Sequence, residues 1–462
     1  MAYLGVDTGG TFTDFILFDE NTGVVSIHKV LSTPDAPDRA IIQGLADLNI
    51  DTNDLLLVHG STVATNAVLE GKGVRTAYIT NKGMADILAI GRQARKELYN
   101  LQPEKKPPLI PPQLCLEVDS RLSAEGEVLA RLDEDGMQQL CRKLDELAPQ
   151  AVAINLLFSF IDDGEEKRIE AALQQQGPAG CFVSRSSDVL PEYKEYERGI
   201  TTTLNAYVGP LMQRYLQRLE QNAPGCRLAV MQSSGGTASA HHAGRYAVQL
   251  LLSGPAGGLK GAQFSAAKSG FDRLLSFDMG GTSTDVSIID QEIGFTTEGH
   301  IGDYPVAVPM VDMHTIGAGG GSIASVDAGG MLLVGPESAG ADPGPACYRK
   351  GGLRPTVTDA NVVLGRLLPD AFLGGRMVLE KEKSEQAVAT IADRLNMDLY
   401  QAATGIIDVV NDHMVRALRV MSVQRGEDPK DYTLVSFGGA GGLHVCALAD
   451  ALQMQRALVP AN

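Results

Sequence analysis

Short apolar runs broken by glycine and turn residues open the chain. "YLGVD" and "DFILFD" read as strands on either side of a glycine loop. Asn21-Thr22-Gly23 turns the chain into a third strand, "VVSIHKVLS". Turn residues between apolar runs are a hairpin signal. A helix follows from about Pro37 to Leu48, started near Asp35, with Ala40, Ile41, Gly44 and Leu45 along one face. Strand "LLLVHGS", helix "ATNAVLEGK" closed by Gly73, and strand "RTAYITN" come next. Hairpin strands followed by alternating helix and strand predict a mixed α/β sheet.

The Pro-rich stretch at 102–113 predicts a loop or linker, since proline suits neither a helix interior nor a central strand. Beyond it, "GMQQLCRKLDEL" and "GEEKRIEAALQQQG" have helical spacing, the second ending at Gly177, and "AVAINLLFSF" reads as one buried strand. The span from about Glu192 to Glu220 is mostly helical in pattern. A second α/β region begins near Leu274 and includes a helix from roughly Ala402 to Val423. Ile407, Val410, Met414, Leu418 and Met421 share one face of that helix. The region ends in a strand, the glycine loop "SFGGAGGL" and a helix.

One pattern occurs twice. "GVDTGGTFTDFILFD" at 5–19 returns as "SFDMGGTSTDVSIID" at 276–290. At an offset of 271 residues, Asp7, Gly9, Gly10, Thr11, Thr13, Asp14 and Asp19 fall on Asp278, Gly280, Gly281, Thr282, Thr284, Asp285 and Asp290. A repeat at this distance indicates two related lobes, not a solenoid of short units. We place the lobes at 1–190 and 191–462.

The 462 residues suffice for two or more cores, and 44% hydrophobic with 21% charged content is that of a globular chain. A net charge of −17 argues against nucleic acid, whose backbone needs a basic surface. It leaves nucleotides open, because a divalent cation and backbone N–H groups offset phosphate charge. The six cysteines form no CxxC pair, which disfavours zinc and redox motifs and fits a reducing compartment. No basic leader opens the chain, and no apolar run reaches membrane-span length. The expectation is a soluble cytoplasmic protein with no membrane partner.

A turn between two strands needs glycine, but it has no use for the same aspartates and threonines twice. Backbone N–H groups and hydroxyls in such a loop suit phosphate oxygens. An aspartate at the strand end suits a hydrated Mg²⁺ or a positioned water. The third loop, with Gly438, Gly439, Gly441 and Gly442, follows a strand and opens a helix. It is neither GxGxxG in dinucleotide context nor a P-loop. Bare backbone there lets an adenosine lie flat, although close helix–strand packing explains it equally well.

Two matched hairpins and a late glycine loop resemble the phosphate 1, phosphate 2 and adenosine motifs of the actin, sugar kinase and Hsp70 ATPase superfamily. Within it, "GVDTGGTFTD", "HGSTVATNAVLEGKG", "IGRQARKELYNL", "PEYKEYERGITTTLNAYVGP", "LLSGPAGGLKGA", "FDMGGTSTDVSI" and "HTIGAGGGSIA" resemble signatures of the hydantoinase A/5-oxoprolinase family. The resemblance implies a two-lobed actin-like fold holding ATP between its lobes with Mg²⁺, or Mn²⁺ in its place. It implies ATP-dependent hydrolysis of a cyclic amide such as a hydantoin or 5-oxoproline, or carboxylation of a ketone, in a hetero-oligomer with a hydantoinase B-type subunit. An ATP-driven conformational module is the reading from another class. Chains of this type generally continue past the adenosine motif, whereas this sequence stops at "RALVPAN".

On that resemblance Asp7 and Asp278 are the metal-handling carboxylates. Gly9, Gly10, Thr11 and Thr13 contact phosphate, as do Gly280, Gly281, Thr282 and Thr284. Asp14 and Asp285 stabilise the turns. "SGPAGG" at 253–258 is either a helix N-terminus near phosphate or a turn connecting the lobes. Asp312 and His314, before "GAGGGSIA", share a strand face and are a candidate metal or substrate pair. His59, Ser61, Thr62 and Asn66 end a strand where a cleft or a helix cap is expected. Arg92 and Arg95 are candidates for a substrate carboxylate or carbonyl. No GxSxG elbow supports a serine hydrolase.

Overall fold

In the computed structural model the chain is described over residues 2–9, 12–33, 36–94, 101–102, 107–375 and 377–460. It forms two compact units. The first contains 1–256 and 295–310; the second contains 257–294 and 311–462. The first unit begins with β1 (Ala2–Thr8), β2 (Phe12–Asp19), β3 (Val25–Leu31), α1 (Pro37–Asp47), β4 (Leu55–Ser61) and α2 (Val63–Leu69). A second group follows: β5 (Thr76–Asn81), β6 (Cys115–Val118), α3 (Glu134–Leu147), β7 (Ala151–Asn155), α4 (Gly164–Gln176) and β8 (Phe182–Arg185). The long α5 (Glu195–Asn222) then leads to β9 (Arg227–Met231) and β10 (Thr237–Ser239).

The first sheet has the order β10-β9-β4-β1-β2-β3. β1, β2 and β3 are antiparallel neighbours, and β4 and β9 join parallel on the other side of β1. β5 to β8 form a separate parallel sheet in the order β8-β7-β5-β6. Leu4, Val6, Phe15, Leu55 and Leu57 pack with Ile41 and Leu45 of α1 and Leu204, Val208 and Met212 of α5. Alternation along β1 sends Leu4, Val6 and Thr8 into this helix-covered face and Asp7 to the opposite one.

α6 (Ser253–Lys268) carries the chain into the second unit, and the boundary between the units falls inside it. β11 (Arg273–Met279), β12 (Thr284–Asp290), β13 (Glu292–Ile293), β14 (His314–Ile316), α7 (Leu399–Met421), β15 (Thr433–Phe437), α8 (Val445–Ala451) and β16 (Ala457–Leu458) build it. The sheet order is β13-β12-β11-β15-β16, antiparallel through β11, β12 and β13 and parallel through β11, β15 and β16. This repeats β3-β2-β1-β4-β9. The duplication is thus one of topology as well as of sequence, and the expected pair of mixed-sheet α/β lobes is present. One face of α7, including Ile407, Val410, Met414, Leu418 and Met421, lies in the second core as its spacing predicts. A capping box between Asp398 and Gln401 starts the helix.

Several elements differ from expectation. The compact units divide inside α6, whereas the sequence reading placed lobes at 1–190 and 191–462, because α5 and β9 pack with the first sheet. Residues 295–310 return to the first unit, where Ile301, Val306 and Val308 complete its core. "AVAINLLFSF" is a strand only to Asn155. The Leu156 N–H then donates to Glu166 and the Leu157 N–H to Asn81, which ends the ladder. Asp35 and most of the Pro-rich stretch's first half lie outside the described residues. Among the described residues no helix is long and apolar enough to cross a membrane.

Arg198, fully buried at the start of α5, joins that helix to the parallel sheet. Its Nε donates to Asn155 Oδ1 at 2.9 Å, Nη1 to Glu192 O at 3.3 Å and Nη2 to Leu156 O at 2.5 Å. A planar fork is needed to reach all three, which lysine lacks. Arg198→Ala should lower the stability of the first unit by about 3–5 kcal/mol, with Arg198→Lys recovering little of it. Urea denaturation of the three proteins checks this.

Candidate functional site

The first hairpin brings Asp7 opposite Asp14 and Thr8 opposite Thr13. Directly opposed residues of an antiparallel pair share a face, so the two carboxylates repel across the hairpin. Crowding by protein raises the pKa of Asp7, the Asp14 charge raises it further, and Lys29 partly offsets both. Lys29 pairs with Asp14 at 2.8 Å. Asp7 nevertheless keeps contact with solvent. On β4 its parallel neighbour is Gly60, whose position lies in contact with the Asp7 carboxylate. Gly10 and Thr11 lie outside the described residues.

Gly9 is held by its carbonyl, which accepts from Ser32 Oγ at 2.7 Å, and Ser32 meets Thr13 Oγ1 at 3.0 Å. Thr13 is fully buried, so its hydroxyl braces the hairpin rather than facing outward. Thr284, its counterpart, is also fully buried and donates to Ala318 O at 2.5 Å. Both threonines were expected on phosphate, and in both the hydroxyl points inward.

The second hairpin repeats the register, with Asp278 opposite Asp285 and Met279 opposite Thr284. Burial raises the pKa of Asp285, and a hydrogen bond from Thr315 Oγ1 works against that rise. Two glycine segments far apart in sequence close on this hairpin. Gly320 N donates to Gly280 O at 3.0 Å and Gly321 N to Gly281 O at 2.6 Å. A Cβ on Gly319 would lie 2.7 Å from the Gly281–Thr282 backbone. From the other side, Ala440 N donates to Met279 O at 3.0 Å. Gly438 has φ +82°, and a Cβ there would overlap the Asp278 carboxylate. Around Gly281 and Gly439, by contrast, there is open space. Gly441 packs tightly over Ser436 and Phe277, while Gly442 is looser. "GAGGGSIA" and "FGGAGG" are therefore backing and flanking walls of one glycine turn.

The other candidates divide. His59 is sealed from solvent, with Nδ1 at 3.3 Å from Val6 O and Nε2 at 2.6 Å from the Tyr215 hydroxyl. Donation from Nδ1–H and acceptance at Nε2 describe a neutral ring that ties β1 to α5, not a group open to substrate. Asp312 falls in the connection before β14, not on one strand with His314, and its carboxylate is forked by Arg425. His314 pairs in register with Val286 of β12. The "SGPAGG" segment opens α6, and Ser253 Oγ donates to Ser61 O at 3.2 Å. Arg92 forks Glu197 at 2.7 and 2.6 Å, and the pair lines a cavity of about 810 Å³ with Tyr193, Tyr196 and His300. Arg95 lies outside the described residues.

Sequence reasoning missed Thr315, Thr358, Tyr215 and Arg425, which hold these parts. Thr358 Oγ1 donates to Gly320 O at 2.8 Å, fixing the backing loop. Nothing local distinguishes such residues, because each acts on a partner more than 25 residues away.

Among the described residues no cluster of three or more His, Cys, Asp or Glu side chains is placed to hold a metal. A bound Mg²⁺ commonly takes only one or two protein carboxylates, with water and phosphate completing its shell. The raised pKa of Asp7 opposite Asp14 fits that chemistry, since a cation beside them relieves the repulsion.

The chain belongs to the hydantoinase/oxoprolinase family, which matches residues 198–462, while the family's N-terminal region matches residues 3–177. Among relatives, it is 38% identical over 475 residues to the caprolactamase subunit alpha of Pseudomonas jessenii, covering 99% of this chain and 68% of that protein. The crystal structure of the ATP-dependent caprolactamase from that organism superposes with a TM-score of 0.87 at 37% identity, over 99% of this chain and 68% of the other. The nucleotide-free structure of acetone carboxylase gives 0.81 at 29% identity, over 98% and 68%. A 5-oxoprolinase of Saccharomyces cerevisiae is 34% identical over 518 residues, covering 99% of this chain and 40% of that one.

Burial lowers the pKa of His59 to about 4, and it does the same for His444 beside the third glycine loop. An unfolded histidine titrates near 6.5, so on acidification the unfolded chain takes up these protons first. The associated stability is complete above pH 6.5 and is lost as pH falls toward 4, by on the order of 3 kcal/mol per residue. Denaturation midpoints between pH 7.5 and 4.5 should fall accordingly, and less steeply in His59→Gln.

Proposed function

We propose that this chain is the ATP-binding subunit of an enzyme that hydrolyses a cyclic amide and works with a B-type subunit. The observation that carries the reading is the duplicated hairpin, with opposed aspartates in the same register in two sheets of the same order. Structural likeness to a caprolactamase supports the reaction class, and the partner follows from that relative's being one subunit.

Bound Mg-ATP supplies a phosphoryl group that converts the amide oxygen into a better leaving group or the carbonyl into a better electrophile. The chain's own part is positioning and charge placement. Asp7 and Asp278 each place near a strand end a carboxylate that would suit a hydrated cation. The turns at Gly9 and at Gly281–Thr282 would offer backbone N–H groups to phosphate, with Gly10 and Thr11 assigned to the same role, while the Gly280 N–H donates to Ser283 O at 3.0 Å and shapes the turn from within. Thr13 and Thr284 act from within by keeping those turns in shape. Gly438 packs against Asp278, and the bare backbone from Gly438 to Gly442 would accept the adenosine. His59 is a positioning residue behind Asp7, and Asp312 with His314 contributes through the Arg425 link and the β14 edge.

A ketone carboxylase subunit is the second reading, favoured by the superposition with acetone carboxylase. The two separate by co-expressing the chain with its partner and following ADP release. Stimulation by a lactam or hydantoin supports hydrolysis; stimulation only by a ketone with bicarbonate supports carboxylation.

Calorimetry with Mg-ATP should show binding lost by tenfold or more in Asp7→Ala and in Asp278→Ala. Unchanged binding in both would overturn the assignment. Because the Asp7 pKa is raised, Mg-dependent binding should weaken on acidification while ordinary carboxylates are still ionised. Asp14→Asn removes the opposing charge and should move that acid limb to lower pH.

A further inference from the structure

On the face of the first sheet opposite Asp7, a cavity of about 480 Å³ begins at Thr8 and Gly9 and runs between α2 and α5. Three features of its wall point to one kind of ligand. Thr8 is 3% exposed, and its hydroxyl, which lies near that of Tyr215, makes no hydrogen bond of good geometry among the described residues. A buried hydroxyl left unpaired costs about 1–3 kcal/mol, so a ligand that accepts from it is favoured. The lining also carries Lys72, Arg214 and Arg218 against the single carboxylate of Glu70. Arg218 pairs with Asp38 at 3.0 Å and Lys72 with Glu70 at 2.6 Å, while Arg214 adds a further positive charge from α5. Finally, the Asn66 amide lines the cavity and donates only a long 3.4 Å bond to Thr62 Oγ1, which itself donates to Thr8 O at 3.1 Å.

Thr62 and Asn66 belong to the "HGSTVATNAV" signature; His59 and Thr62 brace the first hairpin through Val6 O and Thr8 O, whereas Asn66 has no part in it. We propose that this cavity is a binding site for a small oxyanion, inorganic phosphate, held by Thr8, Asn66 and Arg214 behind the first hairpin. The proposal rests on the nucleotide reading for the source of the phosphate. Gly9 has no side chain to separate the two sides of the hairpin end, so phosphate released at the turn has a cationic pocket beside it. Occupancy by product phosphate would then compete with a further turnover. A substrate carboxylate shares the same chemistry, and its planar two-oxygen head is the alternative source of the anion.

The test is titration calorimetry of the full chain with inorganic phosphate at low ionic strength, with acetate and Mg-ATP titrated separately. Wild type should bind phosphate, and acetate at equal concentration should not displace it. Arg214→Gln and Thr8→Val should each weaken phosphate binding about tenfold or more, with Thr8→Ser restoring it and Arg214→Gln leaving Mg-ATP affinity unchanged. Circular dichroism verifies that each variant is folded. No phosphate binding by wild type, undiminished binding in both variants, or displacement by acetate as strong as by phosphate would overturn the proposal. A chain that binds phosphate but not Mg-ATP refutes the nucleotide reading and leaves this site standing. Binding of Mg-ATP without phosphate does the reverse.

Discussion

Two carboxylates held opposite each other across a pair of antiparallel strands repel, and a fold tolerates that only with compensation. Asp7 faces Asp14 and Asp278 faces Asp285 in equivalent registers of two separate sheets. Lys29 relieves the first pair and Thr315 donates to the second. The pKa of Asp7 stays raised, by burial first and the Asp14 charge second, whereas that of Asp285 is raised by burial with Thr315 working against it. Much of the surrounding structure serves to keep these strand ends in place.

The two units meet that need with different parts. In the second, the glycine segment 319–321 packs directly on the backbone of Gly281 and Thr282, and Gly438 approaches Asp278 so closely that no side chain fits. In the first, the turn is tied by Ser32 and Thr62 hydroxyls to the carbonyls of Gly9 and Thr8. Hydroxyl struts leave space where glycine packing leaves none, and the cavity behind Gly9 is that space. The same topology thus yields a closed wall in one unit and a polar pocket in the other.

Much of this was legible from residues alone, and the reason is visible in particular cases. The i, i+3, i+4 spacing of Ile407, Val410 and Met414 reports a single buried helix face, which local geometry fully determines. The repeat identified both hairpins because a strand–turn–strand unit has its residues contiguous. His59 shows where such reading stops. A histidine at a strand end is chemically suited to catalysis, and only the approach of Tyr215, 156 residues away, shows that its second nitrogen is already engaged. Thr13 and Thr284 teach the same lesson, since type and position did not reveal which way the hydroxyl points.

The amino-acid order by itself determined the strand–turn–strand units, their duplication, the helix faces and the family, because each depends on residues close together in the chain. Tertiary structure alone decided that residues 295–310 return to the first unit, that β9 extends its sheet, and that two separate glycine segments close on the hairpin after Asp278. Those outcomes depend on which surfaces bury one another, and a contact between residues more than a hundred positions apart leaves no periodic trace in a single sequence.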